Sequence, residues 1–149
     1  MTIENWKYDE FVKANNGNFS VLDFIHAVSE KIPLPYDFIL CLGRLFAPKL
    51  TVFDGIVVAA DWFDEKRYRE YQASGMVAAQ AQAWINMVEI TDIFNDISPK
   101  NAEQLATFIA NLWTERLRAE FPSERVEANV IIDDGSNEVF VTIGAFLST

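Results

Sequence analysis

The sequence predicts an α+β protein: helices packed on a small antiparallel or mixed sheet that contains two hairpins. Three observations carry this. Helical periodicity governs residues 20–46 and 99–120. Two turn signals, Asp54-Gly55 and the stretch 133–137 (DDGSN), each lie between β-branched runs. Helices lead, and the hairpins fall in the middle and at the end, which argues against an alternating parallel sheet.

The first nineteen residues are polar and end in NNGN, a turn signal; Trp6, Tyr8 and Phe11 can pin a short helix ahead of it. Ser20 has the character of an N-cap. Val21, Phe24, Ile25, Val28 and Ile32 follow at helical spacing, with Asp23 in the first turn and Lys31 in the last, where each suits the helix dipole. Pro33 stops this helix. Pro35 opens a second over 36–46, YDFILCLGRLF, which is apolar on nearly every side and therefore expected in the centre of the fold. Gly43 is expected to mark a close backbone approach, and Pro48 ends the helix.

Strands are expected near 50–53 and 56–61, joined by Asp54-Gly55. DEKRYREYQ then reads as a charged helix running through the alanines to about 82, with Gly75 its weak point. Its i,i+4 pairs are Glu65 with Arg69 and Lys66 with Glu70. Residues 84–94 fit neither period well, and their β-branched content predicts a mostly buried strand. Ser98-Pro99 starts the clearest helix, 99–120, whose stripe is Ala102, Leu105, Ala106, Ile109, Leu112, Trp113 and Leu117. Strands over 126–132 and 138–146 close the chain as the second hairpin.

Length and composition bound the class. The 149 residues, half of them hydrophobic and 23% charged, suit one globular domain spanning 1–149. One cysteine excludes an internal disulfide. The N-terminal residues lack the basic and apolar regions of a secretory signal, and no apolar run reaches the ~18 residues of a membrane span. A cytoplasmic protein is expected. The net charge of −10 repels phosphate backbones and anionic membranes and suits a basic protein partner.

Catalytic constellations are few. His26 and Cys41 are the only imidazole and thiol. Cys41 sits in the most apolar run and is expected to be buried and structural. Asp23, His26 and Glu30 share a helix face, but one histidine cannot build a zinc centre, so no metal and no cofactor are expected. Asp61, Asp64 and Glu65 bracket Trp62-Phe63; Asp64 suits an N-cap, Asp61 is left without a role, and Asp92 and Asp96, which flank Phe94, are the carboxylates that could gather with it at one edge of the sheet. No phosphate-binding glycine motif occurs. The best candidate site is an aromatic patch, Trp62, Phe63, Tyr68 and Tyr71, rimmed by Asp61 and Asp64.

These readings favour a non-enzymatic acidic binding protein, an inhibitor, immunity-type or regulatory partner of a basic target. Two alternatives stand beside it: a homo-oligomeric scaffold or homodimer paired through its C-terminal strand, and a carboxylate- or Mg-dependent hydrolase.

Overall fold

The computed structural model describes residues 2–146 and is α+β, with seven helices and two small antiparallel sheets among them. These residues fall into two compact units, one up to Cys41 and one from Leu42 onward.

The first unit holds a 3-10 turn at Ile3–Asn5, α1 (Tyr8–Ala14) and α2 (Val21–Lys31). Its interior is aromatic. Phe11 stands 5.1 Å from Trp6, 5.3 Å from Phe19 and 5.5 Å from Phe24, ring centre to ring centre, and Tyr8 meets Phe24 edge-on. Stacked, tilted and edge-to-face pairs of this kind contribute beyond their buried area. Ser20 caps α2 as expected and does so reciprocally: its Oγ accepts from the Asp23 N–H at 3.1 Å, while its own N–H donates to Asp23 Oδ2 at 2.8 Å.

Helix α3 (Tyr36–Phe46) straddles the division between the units. Two expectations fail here. No residue of α3 is fully buried, so it is not a central helix, and nothing lies within 4 Å of the position a Cβ on Gly43 would take. Apolarity around a helix reports what it could bury, and here much of it stays solvated.

The second unit begins with the hairpin β1 (Leu50–Phe53) and β2 (Ile56–Ala59), paired Leu50 to Ala59 and Phe53 to Ile56. Asp54 and Gly55 both take positive φ, 50° and 81°, as a tight two-residue turn requires. Beyond β2 the chain coils into a 3-10 turn at Ala60–Trp62 rather than extending to 61. The long helix expected to about 82 is instead two, α4 (Glu65–Ala73) and α5 (Ala78–Ile85). Gly75, at φ 86°, breaks it.

The strand expected over 84–94 is also corrected. Trp84 and Ile85 finish α5, only Val88–Glu89 (β3) is extended, and Ile90–Ile93 (α6) forms one helical turn. The alanines upstream favour helix, and two ladder residues suffice because a side chain continues the pairing: Thr91 Oγ1 accepts the Val139 N–H at 3.2 Å. Helix α7 (Pro99–Glu120) matches its expected bounds, capped by Ser98, whose Oγ accepts from Asn101 N–H. Strands β4 (Ala128–Asp133) and β5 (Glu138–Ile143) form the second hairpin.

The two hairpins lie in separate sheets: β1-β2, and β3-β5-β4 with β5 in the centre. The C-terminal strand is therefore not an edge and cannot offer one for dimer pairing. The α7 stripe of Ala102, Ala106, Ile109, Trp113 and Leu117 buries against Val139, Val141 and Ile143 of β5 in the main core. A smaller core joins Ile56, Val58, Tyr68, Ala81 and Ile85.

Asn86 connects the sheets. Its residue is 1% exposed. Its Oδ1 accepts the Ala59 N–H at 2.9 Å, and its Nδ2 donates to Val57 O at 3.0 Å and Ile143 O at 3.4 Å. Because Ala60 N–H bonds Lys49 O, Val57 and Ala59 turn their polar groups away from β1. The primary amide meets them as a neighbouring strand's peptide group would. Gly144, at φ 109°, follows immediately; a Cβ there would stand 3.3 Å from the Ala83 backbone nitrogen.

Two stability changes are expected. Asn86→Leu leaves the Ala59 N–H and the Ile143 carbonyl without their side-chain partner and lowers unfolding free energy by about 2–4 kcal/mol. Gly144→Ala adds crowding to a disfavoured φ and costs about 1–3 kcal/mol. Urea denaturation followed by circular dichroism checks both, and values near zero would mean these positions are permissive.

Candidate functional site

The aromatic residues singled out from the sequence come together, but their rings turn inward. Tyr68 is 1% exposed and belongs to the smaller core, where Phe53 meets it edge-on at 5.5 Å. Phe63 and Tyr71 are half-buried against the same core. Trp62 packs 5.5 Å from Trp113 and donates its Nε1–H to Asn86 O at 3.3 Å. What this group shows to solvent is mostly charge. Arg69 lies over the Phe53 ring and bonds Asp54 Oδ2 at 2.6 Å, and its expected partner Glu65 stands at 3.7 Å.

The carboxylates also have local duties. Asp64 caps α4, its Oδ1 accepting the Arg67 N–H at 3.1 Å. Asp61, which the sequence left without a role, accepts the Lys49 N–H through Oδ2 at 2.9 Å, with Arg44 Nε 3.9 Å from its other oxygen. It thereby closes the chain on either side of the first hairpin. Among the described residues no three His, Cys, Asp or Glu side chains gather to hold a metal ion, so Asp61, Asp92 and Asp96 form no such group. His26 is exposed and turns to Glu30, Nε2 to Oε1 at 3.3 Å. Cys41 is exposed, contrary to the buried position expected of it. It lies in the part of α3 whose apolar residues, Ile39 and Leu40 among them, remain at the surface.

An open cleft of about 600 Å³ lies in the second unit, lined among others by Gln82, Arg118, Arg125, Glu127, Asn129 and Gly144. Its charges are mixed, and part of its polar lining is committed: Arg118 Nη2 contacts Glu127 at 3.3 Å, and Asn129 Nδ2 donates to Gly144 O at 2.8 Å.

The surface that stands apart is apolar and lies at residues 21–40. Of fifteen large hydrophobic residues exposed among the described residues, nine fall in this segment, and the other six are dispersed from Val52 to Ile132. On α2, Val21 is 59%, Leu22 74% and Ile25 57% exposed, while Phe24, three residues from Val21, reaches the aromatic interior. The helix therefore has two apolar sides, one packed and one solvated. Leu22, Ile25 and Ser29 form one i, i+3, i+7 row; Asp23, His26 and Glu30 form the next, roughly 100° further round. On α3, Tyr36, Ile39 and Leu40 are exposed, with Asp37 beside them. The sequence signal was present in the breadth of apolar residues over 21–46, but periodicity cannot say which side of a doubly apolar helix is covered.

No helix among the described residues is long and apolar enough to cross a membrane. No protein-family model, no curated protein and no solved structure matches the chain.

Two variants separate structural from surface residues. Asp61→Ala removes the acceptor of the Lys49 N–H and is expected to cost about 1 kcal/mol. The double change Leu22→Ser and Ile25→Ser leaves stability within about 0.5 kcal/mol, because both side chains are already solvated. Thermal or urea unfolding distinguishes them; a large loss from the double change would mean that this side of α2 is packed.

Proposed function

We propose that the chain is a non-enzymatic binding protein that acts through protein–protein contacts at the apolar surface of residues 21–40. One observation carries the reading: large hydrophobic side chains are concentrated on a solvated stretch of twenty residues. Dense exposed apolar surface rimmed by polar groups is characteristic of interaction sites. Burying one such side chain fully contributes about 1.5–3 kcal/mol, so a few of them supply the core of an interface.

The charge directs the choice of partner. At −10 the protein attracts a basic target and steers its approach, while repelling nucleic acid and anionic lipid. An inhibitor, an immunity-type protein or a regulatory partner fits this description, and a cytoplasmic location belongs to the same reading. The hydrolase alternative draws little support, since Asp61 and Asp64 serve the backbone. Self-association would bring two strongly negative chains together.

The test compares two baits in a lysate of the source cells at low salt: the native chain, and the chain with Leu22→Ser and Ile25→Ser. A basic protein retained by the first and lost from the second supports the reading. Identical sets of retained proteins from both baits contradict it.

A further inference from the structure

We infer that the partner presents a cationic amphipathic helix, and that this helix packs lengthwise on the solvated side of α2. The inference rests on the proposed binding role and names the chemistry that the site would take.

The shape of the site points to a helix. Val21, Leu22 and Ile25 project from a regular α-helix, and Val21 and Ile25 are spaced i, i+4, so they form a ridge rather than a pocket. A ridge of this kind packs into the groove between the side-chain rows of a second helix. An extended strand would need backbone groups to pair with, and those of α2 are spent within the helix.

The charge beside the ridge selects the sign. The neighbouring row carries Asp23 and Glu30, both exposed. Asp23 gives one oxygen to the Ser20 N–H, and among the described residues Glu30 meets His26. The basic residue of α2, Lys31, lies in the last turn and off this row. Up to Cys41 the chain has six acidic residues against three lysines, so the surroundings do not reverse the local sign. A helix with Lys or Arg beside its apolar stripe pairs with this row as its apolar side covers Leu22 and Ile25. A helix flanked by Glu would meet like charge. A second copy of α2 would do the same, which places self-association behind a cationic partner.

The test uses two synthetic 18-residue amphipathic helices with the same leucine stripe, one flanked by lysine and one by glutamate, titrated against the full chain by fluorescence anisotropy. The lysine peptide is expected to bind at least tenfold more tightly than the glutamate peptide. Glu30→Gln should weaken it several-fold and flatten its salt dependence. Leu22→Ser with Ile25→Ser should abolish specific binding while circular dichroism stays unchanged.

Equal binding of both peptides, or binding that survives the double change, overturns the inference: the first means that charge does not select, the second that the negative protein attracts any cation. A doubled mass in sedimentation that the double change abolishes also overturns it, in favour of a second copy. If the peptides fail while the lysate comparison still yields a partner dependent on Leu22 and Ile25, the partner class is wrong and the binding role stands. If both fail, the binding role itself falls.

Discussion

The larger unit depends on one buried side-chain amide. A two-stranded hairpin alone is marginal in water, and β1-β2 has no third strand. Asn86 takes that strand's place. It offers an acceptor to Ala59 and donors to Val57 and Ile143, so a hairpin and a three-stranded sheet share a single group of three hydrogen bonds. Its main-chain oxygen also receives the Trp62 indole, which packs against Trp113 in the main core. Trp113 in turn donates to Leu45 O at 2.8 Å and ties down the end of α3.

The same device recurs at lower stakes. Gln82 donates to Val57 O beside Asn86, Thr142 Oγ1 donates to Ala83 O, and Thr114 Oγ1 accepts the Ala128 N–H. Short strands leave many backbone groups at their ends and edges, and burial makes each one costly unless it is paired. Here polar side chains from α5, α7 and β5 do the pairing. This explains why polar Asn86 and Thr142 stand among the most buried residues.

Local signals were legible where one residue decides the conformation. Ser20, Ser98 and Asp64 cap helices as their chemistry dictates, Asp54-Gly55 turns a hairpin, and the α7 stripe finds the core. Long-range choices were not legible. Nothing near Asn86 in the chain announces partners twenty-seven and fifty-seven residues away, so 84–94 looked like a strand for want of a reason to bend. Likewise, the spacing of Trp62, Phe63, Tyr68 and Tyr71 gave a face but not its direction. Composition alone puts helix α3 and Cys41 inside, because apolar residues usually are, and their exposure is where packing departs from composition.

The second unit packs its buried hydrophobic residues into two cores, and its Asp61 and Asp64 serve a loop end and a helix cap. The stretch 21–40 leaves its own apolar residues in water.

Native-state hydrogen exchange at the Ala59 amide tests the bridge most directly. Ala59 lies on the outer edge of a two-stranded hairpin, where an amide would ordinarily exchange by local fraying. Bonded to Asn86, it should exchange only through global unfolding, with the same protection as the amides of Val141 and Ile109 in the main core. Rapid exchange of Ala59 while those amides remain protected would show that Asn86 does not hold the two sheets together.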